Sequence, residues 1–314
     1  MIIKRLLTAC IALYACTNIF SQAGSFISIP TDTRSVAMGG TYLATNHSNA
    51  IFTNLAANSI DNKTLDVSLS YRPWVSTFSD DYNIYALSAF YSLSHKHKIA
   101  FGYRSFNLPK YTLLDDNGNN PSSFTPKENT FDIGYAYKIS DHTALSASLH
   151  YLNSEYGQGY DANTIFLDLG FKSKYKALEY GAMVRNIGGD MEFDDGSVAL
   201  PLTIGVGLGY SKELDIANAF NCSLDISHIS GANDASGIGG GLGLEYQYKS
   251  MLSLRTGYQF LDESIGLNYY SIGAGINLGA LSCDFAYLIT DNALKNNYSL
   301  SLSWTLFNKK SIEE

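Results

Sequence analysis

The stretch that decides the fold is SLSLSWTLF, Ser299–Phe307. Leu300, Leu302, Trp304 and Leu306 alternate with Ser299, Ser301, Ser303 and Thr305. A period of two places successive side chains on opposite faces, so this is a β-strand with one apolar and one hydroxylated face. A soluble antiparallel sheet turns the apolar face toward a core. A membrane barrel turns it toward lipid. The choice rests on the rest of the chain.

The same alternation recurs. LDVSLSY, Leu65–Tyr71, aligns Leu65, Val67, Leu69 and Tyr71. ALSASLHY, Ala144–Tyr151, sets Leu145, Ala147, Leu149 and Tyr151 against Ser146, Ser148 and His150. FNCSLDISH, Phe220–His228, and LSCDFAYLI, Leu281–Ile289, repeat the pattern. Fourteen strands are expected, at 64–72, 82–93, 97–106, 128–139, 142–153, 162–172, 177–187, 199–211, 219–229, 238–248, 251–260, 268–277, 281–290 and 296–307. Most are long enough to cross a bilayer, which takes about 9–11 tilted residues.

The connections mostly alternate between short and long. Ser94–Lys96, Ser140–Asp141 and Lys249–Ser250 are tight; Asn107–Lys127, Ser154–Asp161 and Gly188–Val198 are long. A soluble sandwich has no reason to gather its long loops at one end. An outer-membrane barrel does, with short periplasmic turns, longer extracellular loops and an even strand number. Closure also leaves no unpaired backbone in hydrocarbon. The expected fold is therefore all-β: a 14-stranded antiparallel transmembrane β-barrel, integral to a bacterial outer membrane, with membrane lipid around it.

Composition agrees. The chain has 314 residues, 23 Tyr, 27 Gly and only 6 Pro, and its charged fraction is 16%, against about 25% in an ordinary domain. Met1–Ala23 has Lys4 and Arg5, an apolar run from Leu6 to Ala15, and a small-x-small site at Ser21-Gln22-Ala23. It is expected to be a secretory signal peptide, residues 1–23. Its removal takes two bases and no acid, so the net charge moves from −8 to −10. So acidic a chain is a poor partner for nucleic acid. Cys222 and Cys283 remain, in non-adjacent strands, so no disulfide is expected.

A barrel of this size has a lumen wide enough to need filling. Residues 24–62 precede the first strand and are the candidate plug; residues 63–314 form the barrel. Met38, Gly39, Gly40, Phe52 and Asn54 lie in the small-residue stretches of that segment. GIGGGLG, Gly237–Gly243, looks like a phosphate loop but lacks its Lys-Ser/Thr ending and opens no helix. The alternating glycines 239, 241, 243, then 205, 207, 209, and 273, 275 read better as close approach of another backbone.

No catalytic, cofactor or metal residues are expected. There is no G-x-S-x-G nucleophile elbow, and His142, His150 and His228 have no partner pattern in sequence. His95-Lys96-His97 reads as a solvated turn. Asp115–Asn120 lacks the spaced ligands of a calcium loop. In the loop 107–127, Leu108, Tyr111, Leu113, Leu114 and Phe124 are apolar among polar neighbours. They are either a partner-binding patch or a lid folded over the barrel mouth.

The segment FISIPTDTRSVAMGGTYLATNHSNAIFTNLAA, 26–57, resembles the opening of PorV-type proteins of the type IX secretion system, PorQ-like relatives included, and more distantly that of FadL-type fatty-acid transporters. The likeness continues through VSLSYRPWV (67–75), YNIYALSAFYSL (82–93), FTPKENTFDIGYAYKIS (124–140), VRNIGGDMEFDDG (184–196), LPLTIGVGLGY (200–210) and LRTGYQF (254–260). The Tyr-x-Pro-Trp and Asn-Ile-Gly stretches favour PorV. Leu55 stands where the family pattern has Pro. The resemblance implies a FadL-like 14-stranded barrel that is no enzyme but an adaptor. It receives cargo with C-terminal sorting domains from the translocon and passes it to the attachment complex. The alternative it implies is a transporter of hydrophobic small molecules.

Overall fold

In the computed structural model the described residues are 24–61, 63–113, 122–157, 160–194, 196–231 and 236–307. The expected signal peptide 1–23, Leu114 and Asp115–Asn120 lie outside them.

Ser299–Phe307 belongs to the last strand of a closed barrel, and its two faces part as the alternation requires. Leu300, Leu302, Trp304 and Leu306 are 40–48% exposed on the outside, while Ser299 and Ser303 are buried inside. The barrel strands are β1 (Lys63–Pro73), β2 (Asn83–Ser92), β3 (His97–Asn107), β6 (Lys127–Ser140), β7 (Thr143–Glu155), β8 (Asp161–Tyr175) and β9 (Leu178–Gly188). They continue with β12 (Leu202–Glu213), β13 (Asn218–Ser230), β14 (Ser236–Tyr248), β15 (Leu252–Leu261), β16 (Tyr269–Leu278), β17 (Leu281–Ile289) and β18 (Tyr298–Phe307). Two small ribbons sit in the long loops: β4 (Tyr111–Leu113) with β5 (Ser122–Phe124), and β10 (Met191–Phe193) with β11 (Gly196–Val198).

Every barrel strand pairs antiparallel with its neighbours in sequence, and β18 closes the ring on β1. Trp304 faces Val67 and Leu302 faces Leu69 across that seam. The fourteen expected strands all appear, with boundaries within three residues. The two ribbons were not expected; three-residue strands inside polar loops carry too little alternation to register.

Outside, the apolar band is flanked by aromatic rings, the girdle of a membrane barrel. Tyr71 packs against Tyr85 and Tyr298 with ring centres 5.3 and 6.2 Å apart, toward the long loops. Tyr91, Tyr175 and Tyr248 stand exposed toward the short turns. Cys222 and Cys283 are free, on the outward-facing parity of β13 and β17.

Inside, Gly24–Asp61 fills the lumen. It forms one short helix, α1 (Thr33–Ala37), and three 3-10 turns at Ser25–Ser28, Ala50–Phe52 and Leu55–Asn58. Leu55 opens the last of these turns and is buried with Ile51 and Phe52 against Ala86, Ala100 and Ala136 of the wall. Small wall residues facing larger plug residues let the two surfaces interdigitate at interior density. Toward the long-loop end, Phe26 and Ile27 pack with Ile84, Phe106, Leu152 and Phe166.

Candidate functional site

The plug is seated on a glycine-lined wall. A Cβ on Gly257 would lie 2.1 Å from the Gly39 nitrogen, and one on Gly241 would lie 2.1 Å from the Gly39 carbonyl oxygen. On Gly243 it would meet Met38 at 2.6 Å, and on Gly273 it would meet Ala37 at 2.5 Å. Gly181 and Gly207 make the same room for Leu43. Gly239 and Gly275 differ: they face Leu261 and the Asp284–Arg255 pair instead. The glycine run of β14 is therefore a backbone seat, and it opens no helix.

Of the candidate plug residues, Met38, Gly39 and Gly40 are brought together on that seat. Gly39 and Gly40 both have positive φ, 67° and 77°, which turns the chain back after α1. Gly39 N–H donates to Ser271 Oγ at 3.1 Å, and Ser271 Oγ–H donates to the Ala37 carbonyl at 3.0 Å. Phe52 and Asn54 lie against the opposite wall. The Arg104 guanidinium sits 4.5 Å over the Phe52 ring. Asn54 Nδ2 donates to the carbonyls of Leu43 and Phe171 at 2.7 and 3.0 Å.

The hydroxyls of the last strand find their purpose here. Ser299 Oγ and Thr33 Oγ1 share a hydrogen bond of 2.8 Å, and Ser303 Oγ–H donates to Ser48 and Ser68 at 3.0 and 2.9 Å. On this strand the inner hydroxyls of Ser299 and Ser303 have the plug as a partner.

Charged side chains fasten the rest. All five arginines of the described residues point into the lumen. Arg34 of α1 grips Glu245 with two hydrogen bonds of 3.0 and 2.9 Å. Arg255 bridges Glu245 and Asp284, each at 2.5 Å. Arg72 donates to the Pro30 carbonyl at 2.8 Å, and Arg104 and Arg185 both donate to the Ile27 carbonyl, at 3.2 and 2.9 Å. Asp225 Oδ2 accepts from the backbone N–H groups of Tyr42 and Leu43 at 2.7 and 2.9 Å. Bidentate and charge-assisted bonds of this kind fix orientation as well as energy.

Within the plug, Asp32 caps α1 by accepting from Ser35 N–H at 2.7 Å. Burial opposes its charge, but His47, Ser35 and Arg34 outweigh it and hold its carboxyl below the usual range. Burial drives His47 the other way, to about 4, so its ring is neutral at pH 7. Burial alone would lower Arg34, yet Glu245 raises it above the ordinary arginine value.

His150, which had no partner in sequence, sits between two carboxylates. Its Nδ1 bonds to Asp132, and its Nε2 lies 3.3 Å from Asp168, which also takes Arg185. Both ring nitrogens thus face carboxylates of the barrel wall. His95 pairs with Asp141 of the next turn at 3.2 Å, and Lys138 reaches the same carboxylate at 3.1 Å. Among the described residues no group of three His, Cys, Asp or Glu is arranged for a metal.

The loop residues do not converge. Leu108 turns inward and packs against the Phe26 cluster. The Tyr111 and Phe124 rings meet at a tilt of 56° with centres 5.7 Å apart on the β4–β5 ribbon, where Leu113 pairs with Ser122. The Tyr111 hydroxyl donates to the Tyr156 carbonyl, tying the ribbon to the next loop. Two cavities of about 240 Å³ each open toward the short turns. Arg34, Asn46 and Gln247 line both; the first also has Glu179 and Glu245, the second Arg255 and Asp284.

A family model described as "Type IX secretion system protein PorV" matches residues 15–232. The chain belongs to the PorV family. It is thus a protein of the type IX secretion family and an integral outer-membrane barrel. No curated protein matches. Among solved structures it is similar to the Pseudomonas putida toluene transporter TodX, at 14% identity over 88% of this chain and 99% of that one, with a TM-score of 0.65. A FadL homologue of Pseudomonas aeruginosa gives 10% identity, coverage of 88% and 98%, and a TM-score of 0.55. The CymD monoaromatic hydrocarbon channel gives 13%, 89% and 98%, and 0.58. At these identities the PorV-family chain shares the barrel fold with them.

The resemblance in sequence found the family, but not the wall residues that hold the segment 24–61. Asp225, Glu245, Arg255 and Arg185 stood on the polar parity of their strands, and that parity was the available signal: a charge on the inner face of a barrel wall needs a partner.

Proposed function

We propose that this PorV-family barrel is an adaptor of type IX secretion. It binds secreted substrates through their C-terminal sorting domains and passes them from the translocon to the attachment machinery on the cell surface. The observation that carries this reading is the family match over residues 15–232. The plug supports it: with Gly24–Asp61 fastened across the lumen, partners meet the rim. The β4–β5 ribbon, with half-buried Tyr111 and Phe124 and exposed Thr112, is the proposed contact. Leu108 is excluded from that surface because it packs inward.

Transport of a hydrophobic small molecule draws on fold likeness to TodX and CymD. The two polar-lined cavities suit water better than a hydrocarbon, since such ligands take apolar pockets. Deletion of the gene tests the adaptor reading. Cargo with C-terminal sorting domains is expected to accumulate inside the cell; normal surface display of that cargo would refute it.

A further inference from the structure

Glu128 of β6 is 2% exposed, close to the mouth of the barrel. Its Oε1 accepts from the backbone nitrogen of Gly24 at 3.1 Å and from the Tyr156 hydroxyl. Its Oε2 is buried with no hydrogen-bond partner. Ser154, directly opposite Glu128 on β7, has a buried hydroxyl that is likewise unpartnered. Among the described residues no lysine or arginine is bonded to Glu128. Lys127 turns to Glu155, and Arg104 is held by Ile27, Thr130 and Asp132. A buried carboxylate without a cation is costly, and such groups are normally paired.

Gly24 is also the residue that follows the small-x-small site Ser21-Gln22-Ala23. We propose that signal-peptide cleavage after Ala23 creates the missing cation, and that the new α-ammonium of Gly24 docks on Glu128 as the anchor of the plug. The inference rests on the reading of residues 1–23 as a removable leader. In the cleavage, water adds across the Ala23–Gly24 peptide bond. Ala23 leaves as a carboxylate, and the freed Gly24 nitrogen takes up protons to become an ammonium. One amide N–H then becomes three donors beside Glu128, whose Oε1 already accepts from that nitrogen. The site is tight around Gly24: an added Cβ would lie 2.8 Å from the Met191 sulfur, 3.1 Å from Leu200 and 3.2 Å from Leu152, so a larger residue would have to displace these side chains. The arginines on Ile27 and Pro30 hold the following turns, so the anchored end is continuous with a fixed segment.

The test uses full-length protein purified from outer membranes. Intact mass and N-terminal sequencing are expected to show a chain beginning at Gly24. At neutral pH an amine-acylating reagent favours an α-amine, whose pKa is about 8, over lysine. The Gly24 amine of the folded barrel is expected to label at least about tenfold more slowly than that of the denatured chain. Glu128→Gln is expected to abolish the protection. A chain that starts elsewhere, equal labelling in folded and denatured protein, or full protection in folded Glu128→Gln would each overturn the proposal. The wild-type comparison decides the matter even if the variant does not fold.

Discussion

Gly257→Ala tests whether the glycine wall is a seat for the plug backbone. The new Cβ would stand 2.1 Å from the Gly39 nitrogen and 2.3 Å from the Met38 carbonyl carbon. Non-bonded heavy atoms settle at about 3.5–4.0 Å, so about 1.4 Å must come from movement. The obstruction is backbone on both sides, and no flexible side chain can swing away. Overpacking of this kind costs about 1–3 kcal/mol. The shift also breaks the 3.1 Å bond from Gly39 N–H to Ser271, leaving that N–H its 3.3 Å bond to the Val36 carbonyl; one lost hydrogen bond costs about 0.5–1.5 kcal/mol more. The seating of the plug should weaken by ~1.5–4.5 kcal/mol in sum, while the hydrogen-bonded barrel persists. Two assays read this: protease cleavage within 24–61, and conductance of single barrels in planar bilayers. The variant is expected to be cleaved faster and to open stepwise currents. Gly189→Ala, where the nearest atom is Thr164 Oγ1 at 3.5 Å, is the control and should match wild type. Closed, protease-resistant Gly257→Ala would refute the seat.

Asp225→Ala strands the N–H groups of Tyr42 and Leu43. Each costs about 1–3 kcal/mol, and faster proteolysis of the plug with an unchanged heat-modifiable gel shift of the barrel is the expected readout. The plug should also loosen in acid. The native His47 pKa of about 4 lies below the ordinary ~6.5, so the unseated state binds the extra proton between those values. Seating is complete above pH ~6.5 and loses ~3 kcal/mol as pH falls to ~4, with the lowered Asp32 adding to the loss below that. Plug proteolysis followed against pH checks this, and His47→Asn should flatten the dependence over that window. Leu302→Lys places a charge on the lipid face, where Leu302 is 48% exposed; it should cost about 2–4 kcal/mol in urea-dependent folding into vesicles.

The barrel was legible because its code is local. SLSLSWTLF carries its two faces in nine consecutive residues, and a parity repeated in every strand makes a closed wall the simplest reading. The alternating glycines were legible for a related reason, since a missing side chain every second residue points to something large on one face. The plug's fastenings were not legible. Arg34 meets Glu245 across 211 positions of sequence, and Asp225 meets Tyr42 across 183. No local pattern encodes such pairs; they exist only once the register is fixed. His150 makes the same point, because Asp132 faces it directly across β6–β7 and Asp168 approaches from β8. The loop residues failed differently. Leu108, Tyr111 and Phe124 look alike in sequence, but Leu108 turns into the core while the other two pack against each other on a ribbon.

The adaptor reading is tested most directly at that ribbon. A photo-crosslinking amino acid in place of exposed Thr112, activated in living cells, records what touches the rim. Adducts with secreted proteins bearing C-terminal sorting domains, or with translocon components, are the predicted result. Adducts with lipid alone, in cells that display such cargo normally, would contradict the account.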